Sequence, residues 1–237
     1  MKAIIFCAGL GTRFKPWTDK HPKALALVHG KSLLQRNIEY LQRYSIYEVV
    51  VNVHHFADQI EDAIKVNNGW GSSVIISDER NEVLETGGGL LKAASLLGGE
   101  KFLAINVDIL TDLDISKMIA SHDKHGALAT LGVSDRRTSR YFLFNEMLQL
   151  CGWRNIKTGE EKISRSDQAT QQLAFSGVHI IEGRLLNMIS QRGKFSIVDV
   201  YLDLSVNNKI IGFDHTGAKL IDVGKPEAVA EAELMFS

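Results

Sequence analysis

A glycine-rich segment near the start of the chain has the composition of a phosphate-binding loop. Residues 8–16 read Ala-Gly-Leu-Gly-Thr-Arg-Phe-Lys-Pro, and Pro22-Lys23 follows shortly after. Glycines let backbone amides approach phosphate oxygens closely, and Arg13 and Lys23 would add positive charge. The segment therefore predicts a binding site for a polyphosphate. A tight turn after a strand is the alternative that the glycine spacing alone leaves open.

Two widespread phosphate-binding motifs do not match this segment. A dinucleotide-binding fingerprint requires a third glycine at position 14, where this chain has Phe14. An ATPase loop requires Gly-Lys followed by Ser or Thr, which the segment lacks. The loop thus predicts phosphate binding of another kind.

An aspartate follows each of two apolar segments that are typical of strands. Asp108 comes after the run that begins at Phe102, and Asp222 ends the short segment from Lys219. Ligands bind at the carboxyl edge of open α/β sheets, so Asp108 is well placed to bind a metal. For either aspartate taken singly, a turn or a helix cap is the alternative.

Alternating strands and helices are predicted to position these residues. Short runs rich in Val, Ile or Leu alternate with longer segments in which apolar residues recur at three- and four-residue spacing. This alternation predicts an α/β fold, a three-layer α/β/α sandwich with a mostly parallel, Rossmann-like sheet. The predicted strands are Lys2–Cys7, Glu48–Val53, Ser73–Ser77, Phe102–Asn106, Ala127–Val133, Leu173–Ile181 and Lys219–Asp222. The predicted helices are Leu33–Tyr44, Asp58–Val66, Gly89–Leu97, Ile115–His125, Arg184–Gln191, Ile197–Asn207 and a last one that starts at Lys225-Pro226.

The segment Ser134–Gln172 is more polar and rich in arginine. Its apolar stretches Tyr141–Phe144 and Met147–Leu150 predict an antiparallel hairpin, and the rest of the segment predicts a mobile loop. Its arginines could bind an acidic substrate, although exposed arginines are usually only solvated. They are Arg136, Arg137, Arg140, Arg154 and Arg165.

The composition limits the classes of function. With 237 residues, a single domain over residues 1–237 is expected. The formal net charge of −1, with both signs spread along the chain, gives no indication of nucleic-acid or membrane binding. No uncharged run approaches the length of a membrane span, and the first apolar run is too short for a signal peptide, so we expect a cytoplasmic protein. The oligomeric state leaves no readable signal.

The order of these motifs resembles that of the sugar-1-phosphate nucleotidyltransferases. Their signature is Gly-x-Gly-Thr-Arg-hydrophobic-x-Pro followed by Pro-Lys, and residues 9–16 and Pro22-Lys23 match it. The chain departs from the family pattern at Ala24, where proline is usual. The segments Glu85-Thr-Gly-Gly-Gly89 and Phe175-Ser-Gly-Val178 look like those of the N-acetylmuramate-1-phosphate uridylyltransferases. The Glu-Lys-Pro acceptor motif of many hexose-phosphate members has no match in residues 134–172.

The resemblance implies an enzyme that transfers a nucleotide from a nucleoside triphosphate to a sugar 1-phosphate and releases pyrophosphate. It implies that Asp108 and Asp222 are ligands of a catalytic Mg²⁺ and that Arg13 and Lys23 act on the phosphates. The residues that it implies for nucleotide binding are Ala8, Gly9, Gly11, Thr12, Arg13, Lys23, Glu79 and Gly88. Those that it implies for sugar binding are Glu85, Thr86, Gly87, Asn106, Ser176 and Gly177. Residues 1–133 would form the nucleotide-binding half, and residues 134–237 the half with the sugar site and the second metal ligand.

Three functional hypotheses remain open at this point. The resemblance favours UTP and N-acetylmuramate 1-phosphate as substrates, in a cell-wall recycling route, and the lactyl carboxylate of this sugar could pair with an arginine of residues 136–165. Guanylyl transfer to mannose or heptose 1-phosphate would use the same phosphate-handling residues. A catalytically silent sensor of a sugar nucleotide is the alternative of another class.

Two further groups of residues are expected to have structural roles. His54 and His55 lack Cys or Glu partners at a metal-ligand spacing. Trp17, Trp70 and Trp153 are too scattered to form a stacking platform, so we expect them to be packing residues.

Overall fold

Strands and helices alternate along most of the chain. The computed structural model describes residues 1–165 and 171–236. The strands of this part are β1 (Ala3–Phe6), β2 (Leu27–Val28), β3 (Lys31–Ser32), β4 (Glu48–Val53), β5 (Ser73–Asp78), β6 (Phe102–Asn106), β7 (Ile109–Thr111), β8 (Ala129–Ser134), β9 (Arg140–Phe144), β10 (Leu150–Asn155), β11 (Glu160–Ile163), β12 (Gln171–Ile181), β13 (Ile210–Asp214) and β14 (Leu220–Asp222). The α-helices are α1 (Leu33–Gln42), α2 (Ala57–Val66), α3 (Glu85–Lys92), α4 (Ala94–Leu97), α5 (Ile115–His125), α6 (Ile197–Ser205) and α7 (Glu227–Met235).

One mixed sheet forms the centre of the fold. Its strand order is β11-β10-β9-β12-β6-β1-β4-β5, and β8 pairs with β12 and β13. Strand β1 is parallel to β4 and β6, and β4 is parallel to β5. Strand β12 is antiparallel to β6, β8 and β9. The half of the sheet that consists of β1, β4, β5 and β6 is therefore parallel, as predicted, and the other half is largely antiparallel.

Helices cover both faces of this sheet, because successive side chains of a strand point to opposite faces. Ala3 and Ile5 of β1 belong to a core cluster that includes residues of α1, α2, α5 and α7. Ile4 and Phe6 belong to a second cluster, with residues of α3, α4 and α6. The predicted three-layer α/β/α architecture is thus confirmed.

Two predicted helices differ from the observed ones. The helix predicted over Gly89–Leu97 begins earlier, at Glu85, and is interrupted at Ala93 between α3 and α4. The helix predicted over Arg184–Gln191 is instead a 3₁₀ helix over Gly183–Met188. It ends before the predicted boundary because the backbone is already extended at Ile189. Strand β13 was not predicted.

The polar segment after β8 differs from the predicted hairpin, because the second predicted strand, Met147–Leu150, is mostly a turn and β10 begins only at Leu150. Strands β9, β10 and β11 pair in succession as an antiparallel meander that continues the main sheet through β12. The expected mobile loop falls partly on residues 166–170, which lie outside the described residues. In the described ranges, no helix combines the length and the apolar character that crossing a bilayer requires.

Candidate active site

Asp108 and Asp222 are brought together by a small second sheet. Asp108 lies in the turn between β6 and β7, and β14, which ends at Asp222, pairs antiparallel with β7. The amide of Val223 donates a hydrogen bond of 2.8 Å to the carbonyl oxygen of Asp108. Asp222 therefore lies at the end of this two-stranded sheet and not on a strand of the main sheet.

The two aspartates share a strongly charged environment. The Lys23 ammonium group forms an ion pair with Asp108, and both side chains are mostly buried. Burial raises the pKa of the Asp222 carboxyl, and the negative charge of Asp108 raises it further. The charges of Lys23, Arg13 and Arg136 oppose this rise. The arrangement would therefore be stabilised by a cation that binds between the two carboxylates.

Arg13 is positioned beside Asp222 by the absence of a side chain at Gly224. A Cβ at Gly224 would lie 2.8 Å from Nη2 of Arg13 and 2.8 Å from Oδ1 of Asp222. No carboxylate of a described residue lies within 4.0 Å of the Arg13 guanidinium group. Its charge is therefore available to a ligand at this site.

The glycine-rich loop is fixed by its own contacts and by β4. Gly11 has a φ of 61°, and a Cβ there would lie 2.9 Å from Cγ2 of Thr18. Asn52, on β4, accepts hydrogen bonds from the amides of Cys7 (2.7 Å) and Ala8 (3.3 Å). A Cβ at Gly9 would meet no other atom within 4 Å, so this part of the loop is open to close approach. Thr12 starts a 3₁₀ turn and not an α-helix.

Glu79 supports the loop indirectly. Its side chain is fully buried and accepts a hydrogen bond of 2.7 Å from Nδ2 of Asn52. Burial raises the pKa of the Glu79 carboxyl, and the hydrogen bond from Asn52 opposes this rise. The side chain lines neither of the two cavities described below, and the assignment of Glu79 to the nucleotide stays a prediction.

The three glycines in the first turns of α3, Gly87, Gly88 and Gly89, are required by close packing. The amides of Gly87 and Gly88 both donate to the carbonyl oxygen of Phe195, at 3.0 and 3.3 Å. A Cβ at Gly88 would lie 2.2 Å from the carbonyl oxygen of Gly193, and one at Gly89 would lie 2.6 Å from Oε1 of Glu79. The amides of Gly87 and Gly88 are therefore already paired within the protein. Their assignment to sugar and nucleotide stays a prediction.

A smaller cavity of about 230 Å³ lies along the glycine-rich loop. It brings together residues of the glycine-rich loop, the start of α3 and the end of β6. Those among the predicted site residues are Ala8, Gly9, Lys23, Glu85, Thr86, Asn106 and Asp108. Asn52 and Val83 also line it. The glycine-rich loop and the start of α3 therefore face the same cavity.

Ser176 and Gly177 take part in different ways. The Ser176 hydroxyl is fully buried and hydrogen-bonded to Nε2 of His215 at 2.7 Å, and the assignment of Ser176 to the sugar site stays a prediction. Gly177 has a φ of 70°, and a Cβ there would lie 2.9 Å from Nδ2 of Asn106. Gly177 thus makes room for Asn106, which lines the smaller cavity.

A larger cavity of about 720 Å³ begins at Arg13 and Asp222 and continues over the meander. Arg136 and Arg140 line it, which separates them from the other arginines of the segment. Arg154 pairs with Glu161 instead. The other residues of this wall were not predicted, and alternation along β9 and β10 is a signal only for those on the strands, such as Phe142 and Asn155. The residues that were not predicted include Thr138, Ser139, Phe142, Asn155, Lys157 and Thr158.

Two structural expectations have different outcomes. His54 is structural as expected, since its Nδ1 lies 2.7 Å from the carbonyl oxygen of Glu79. Trp153 is not only a packing residue, because it lines the larger cavity.

The chain was compared with known proteins over its full length. Residues 2–236 match the Nucleotidyl transferase family. The N-acetylmuramate alpha-1-phosphate uridylyltransferase of Caulobacter vibrioides is 31% identical in an alignment of 237 residues. The alignment covers 98% of this chain and 95% of that protein. The N-acetylmuramate alpha-1-phosphate uridylyltransferase of Neisseria meningitidis is 29% identical over 235 residues, 99% of this chain and 98% of that one.

A solved structure has the same fold over the whole chain. The crystal structure of HddC from Yersinia pseudotuberculosis complexed with GMP-PN has a TM-score of 0.78 and 26% sequence identity, and the match covers 100% of this chain and 99% of HddC. The pairing of the two aspartates near the glycine-rich loop is consistent with the family match over residues 2–236. This chain belongs to the nucleotidyl transferase family and is a sugar-1-phosphate nucleotidyltransferase.

Proposed function

We propose that this enzyme transfers the uridylyl group of UTP to N-acetylmuramate 1-phosphate, giving UDP-N-acetylmuramate and pyrophosphate in a cell-wall recycling route. The cationic lining of the larger cavity beside Asp222 carries this proposal. Arg136, Arg140 and Lys157 line it, and this acceptor brings both a phosphate and a lactyl carboxylate. The two uridylyltransferases that match nearly the whole chain support the same acceptor.

The two cavities suit the two substrates. We assign the smaller cavity to the nucleotide, because the glycine-rich loop and Lys23 line it. The larger cavity, whose wall comes mainly from residues after 133, is assigned to the sugar phosphate. Residues 1–133 would then be the nucleotide-binding half and residues 134–237 the acceptor half of one domain. Asp108 borders the first cavity and Asp222 the second, so the reacting phosphates would meet at the aspartates.

Asp108 and Asp222 fit Mg²⁺ as the cofactor. In residues 1–165 and 171–236, no group of three or more His, Cys, Asp or Glu side chains is placed to hold a metal. Mg²⁺ needs fewer protein ligands, since it is usually held by one or two carboxylates together with phosphate oxygens and water. Bound there, Mg²⁺ would neutralise charge on the reacting phosphates.

The reaction would be a direct displacement. An oxygen of the sugar phosphate attacks the α-phosphorus of UTP in line, and the bond to the leaving pyrophosphate breaks. No protein nucleophile is required. Arg13 and Lys23 would stabilise the negative charge that develops on the phosphates, and the ion pair with Asp108 holds the Lys23 ammonium group at the site.

Guanylyl transfer to mannose or heptose 1-phosphate is the second candidate. HddC, whose fold matches the whole chain, binds GMP-PN, which contains guanine. The phosphate-handling residues would serve either base. A silent sensor is less well supported, because the chain keeps the two aspartates, Arg13 and Lys23 together at one site, and binding alone would not require this set of reactive charges.

The test is a matrix of specificity constants. Pyrophosphate release is measured with UTP and GTP, each combined with N-acetylmuramate 1-phosphate, N-acetylglucosamine 1-phosphate and mannose 1-phosphate. We expect the highest kcat/KM for UTP with N-acetylmuramate 1-phosphate. A higher value for GTP with mannose phosphate would overturn this substrate pair. Absence of turnover with all six pairs would favour the sensor.

A further inference from the structure

Two side chains at the rim of the larger cavity carry positive charge without an acidic partner in the part of the chain that the structure describes. No carboxylate of the described residues lies within 4.0 Å of Arg140 or Lys157. Lys162, on β11, differs because Asp199 lies 2.9 Å and Glu160 lies 3.8 Å from its ammonium group. The free charge at this rim is therefore that of Arg140 and Lys157.

Arg140 is the better placed of the two to recognise a carboxylate. It lies on β9, where it pairs in register with Asn155 of β10. Lys157 lies in the turn between β10 and β11, where its amide donates to Oδ1 of Asn155 at 3.0 Å. The backbone of Arg140 is thus held in the sheet. Its planar guanidinium group can donate two parallel hydrogen bonds to a carboxylate, which an ammonium group cannot do.

The neighbours of Arg140 form a surface suited to a sugar ring. Phe142 lies two residues along β9, on the same face, and Trp153 is opposite Phe142 in register. Phe175 packs edge-on against Phe142, with ring centroids 5.6 Å apart. Phe142 itself is fully buried, whereas Trp153 and Phe175 are partly exposed, so the apolar face of a pyranose can pack on those two rings. Its acidic substituent would then lie towards Arg140, at the end of the same strand pair.

Arg136 has a different position. Its Nη2 donates a hydrogen bond of 2.8 Å to the carbonyl oxygen of Phe175. Its charge also lowers the pKa of Asp222, which places it near the aspartates. Arg136 is therefore suited to the phosphate of the acceptor, and Arg140 to a group at the far side of the ring.

We propose that Arg140 determines acceptor specificity by pairing with a carboxylate on the sugar, so that carboxylate-bearing hexosamine 1-phosphates are preferred to neutral ones. This inference rests on the proposed function. Arg140 is exposed, and its replacement should leave the fold intact.

The experiment compares two acceptors that differ in the lactyl carboxylate. Wild type, Arg140→Gln, Arg140→Lys and Arg137→Gln are assayed with UTP and either N-acetylmuramate 1-phosphate or N-acetylglucosamine 1-phosphate. Arg137 is the matched control, because it is an exposed arginine just before β9 that does not line the cavity. Thermal melting of each variant checks the fold.

Arg140→Gln should lower kcat/KM for N-acetylmuramate 1-phosphate about tenfold, as expected for loss of one charge-assisted pair at an exposed site. The value for N-acetylglucosamine 1-phosphate should change by less than about twofold, Arg140→Lys should be intermediate, and Arg137→Gln should keep the wild-type ratio.

Three results would contradict parts of this account separately. A wild-type enzyme without preference for N-acetylmuramate 1-phosphate would contradict the proposed function. A wild-type preference that Arg140→Gln leaves unchanged would overturn the role of Arg140 alone. An equal loss with both acceptors would also overturn it, since the effect would not depend on the carboxylate.

Discussion

Replacement of Asn52 by alanine should destabilise the parallel half of the fold. Asn52 is 2% exposed and connects three parts of the structure. Its Oδ1 accepts from the amides of Cys7 and Ala8, and its Nδ2 donates to Glu79. Alanine would leave these groups buried without their partner.

The size of the effect follows from the groups that lose a hydrogen bond. A buried polar group without a partner costs about 1–3 kcal/mol. The Cys7 and Glu79 contacts are both 2.7 Å, whereas the Ala8 contact is 3.3 Å and should contribute less. We therefore expect a loss of about 2–5 kcal/mol in the free energy of unfolding. For a chain of this size, that corresponds to roughly 5–15 °C in melting temperature.

The assay is thermal and urea unfolding of wild type, Asn52→Ala and a matched control. Asn67→Ala is suitable, because Asn67 is exposed and its Nδ2 makes one hydrogen bond, to the Ala63 carbonyl oxygen. The control should change stability by less than about 0.5 kcal/mol. If Asn52→Ala melted within about 1 °C of wild type, the role assigned to this network would be refuted.

The remaining predictions concern charged groups of the site. Asp108→Asn and Asp222→Asn should each lower turnover by at least about 100-fold at limiting Mg²⁺ with little loss of melting temperature, and wild-type rates in either would remove that aspartate from the site. Arg13→Ala and Lys23→Ala should lower kcat more than they raise KM for the sugar phosphate, because both would stabilise the charge that develops on the reacting phosphates, and an effect on KM alone would place them on the acceptor side. Burial raises the pKa of Glu79, so the folded state holds this proton more tightly and wild-type stability falls as pH rises above the ordinary glutamate range. Glu79→Gln should remove this part of the pH dependence, and parallel slopes of stability against pH in the two proteins would show that Glu79 does not titrate this way.

The parallel half of the fold was predictable because its patterns are local. The apolar runs at β1, β4 and β6 are buried on both faces, and their bounds match the predictions within about two residues. The 3₁₀ helix over Gly183–Met188 could not be distinguished from an α-helix by apolar spacing. Strand β13, which pairs in parallel with the distant strand β8, was missed.

The candidate site was predictable only as far as residue type and motif order reach. The sequence identifies Asp108 and Asp222 as candidates. The backbone hydrogen bond from Val223 to Asp108 that brings them together joins residues more than a hundred positions apart, so local patterns do not reveal it. The same limit applies to Gly88, because the carbonyl of Gly193 that it must accommodate comes from a distant segment. Long-range packing, and not composition, decides which amides and side chains face a ligand.

A competition experiment tests the central claim most directly. The enzyme is incubated with Mg²⁺, equal concentrations of UTP, GTP, CTP and ATP, and an equimolar mixture of N-acetylmuramate, N-acetylglucosamine and mannose 1-phosphates. Because competing substrates react in proportion to kcat/KM, the first products formed report specificity without separate kinetics. We predict that mass spectrometry will show UDP-N-acetylmuramate as the main early product. A main product with guanine or with mannose would contradict the account.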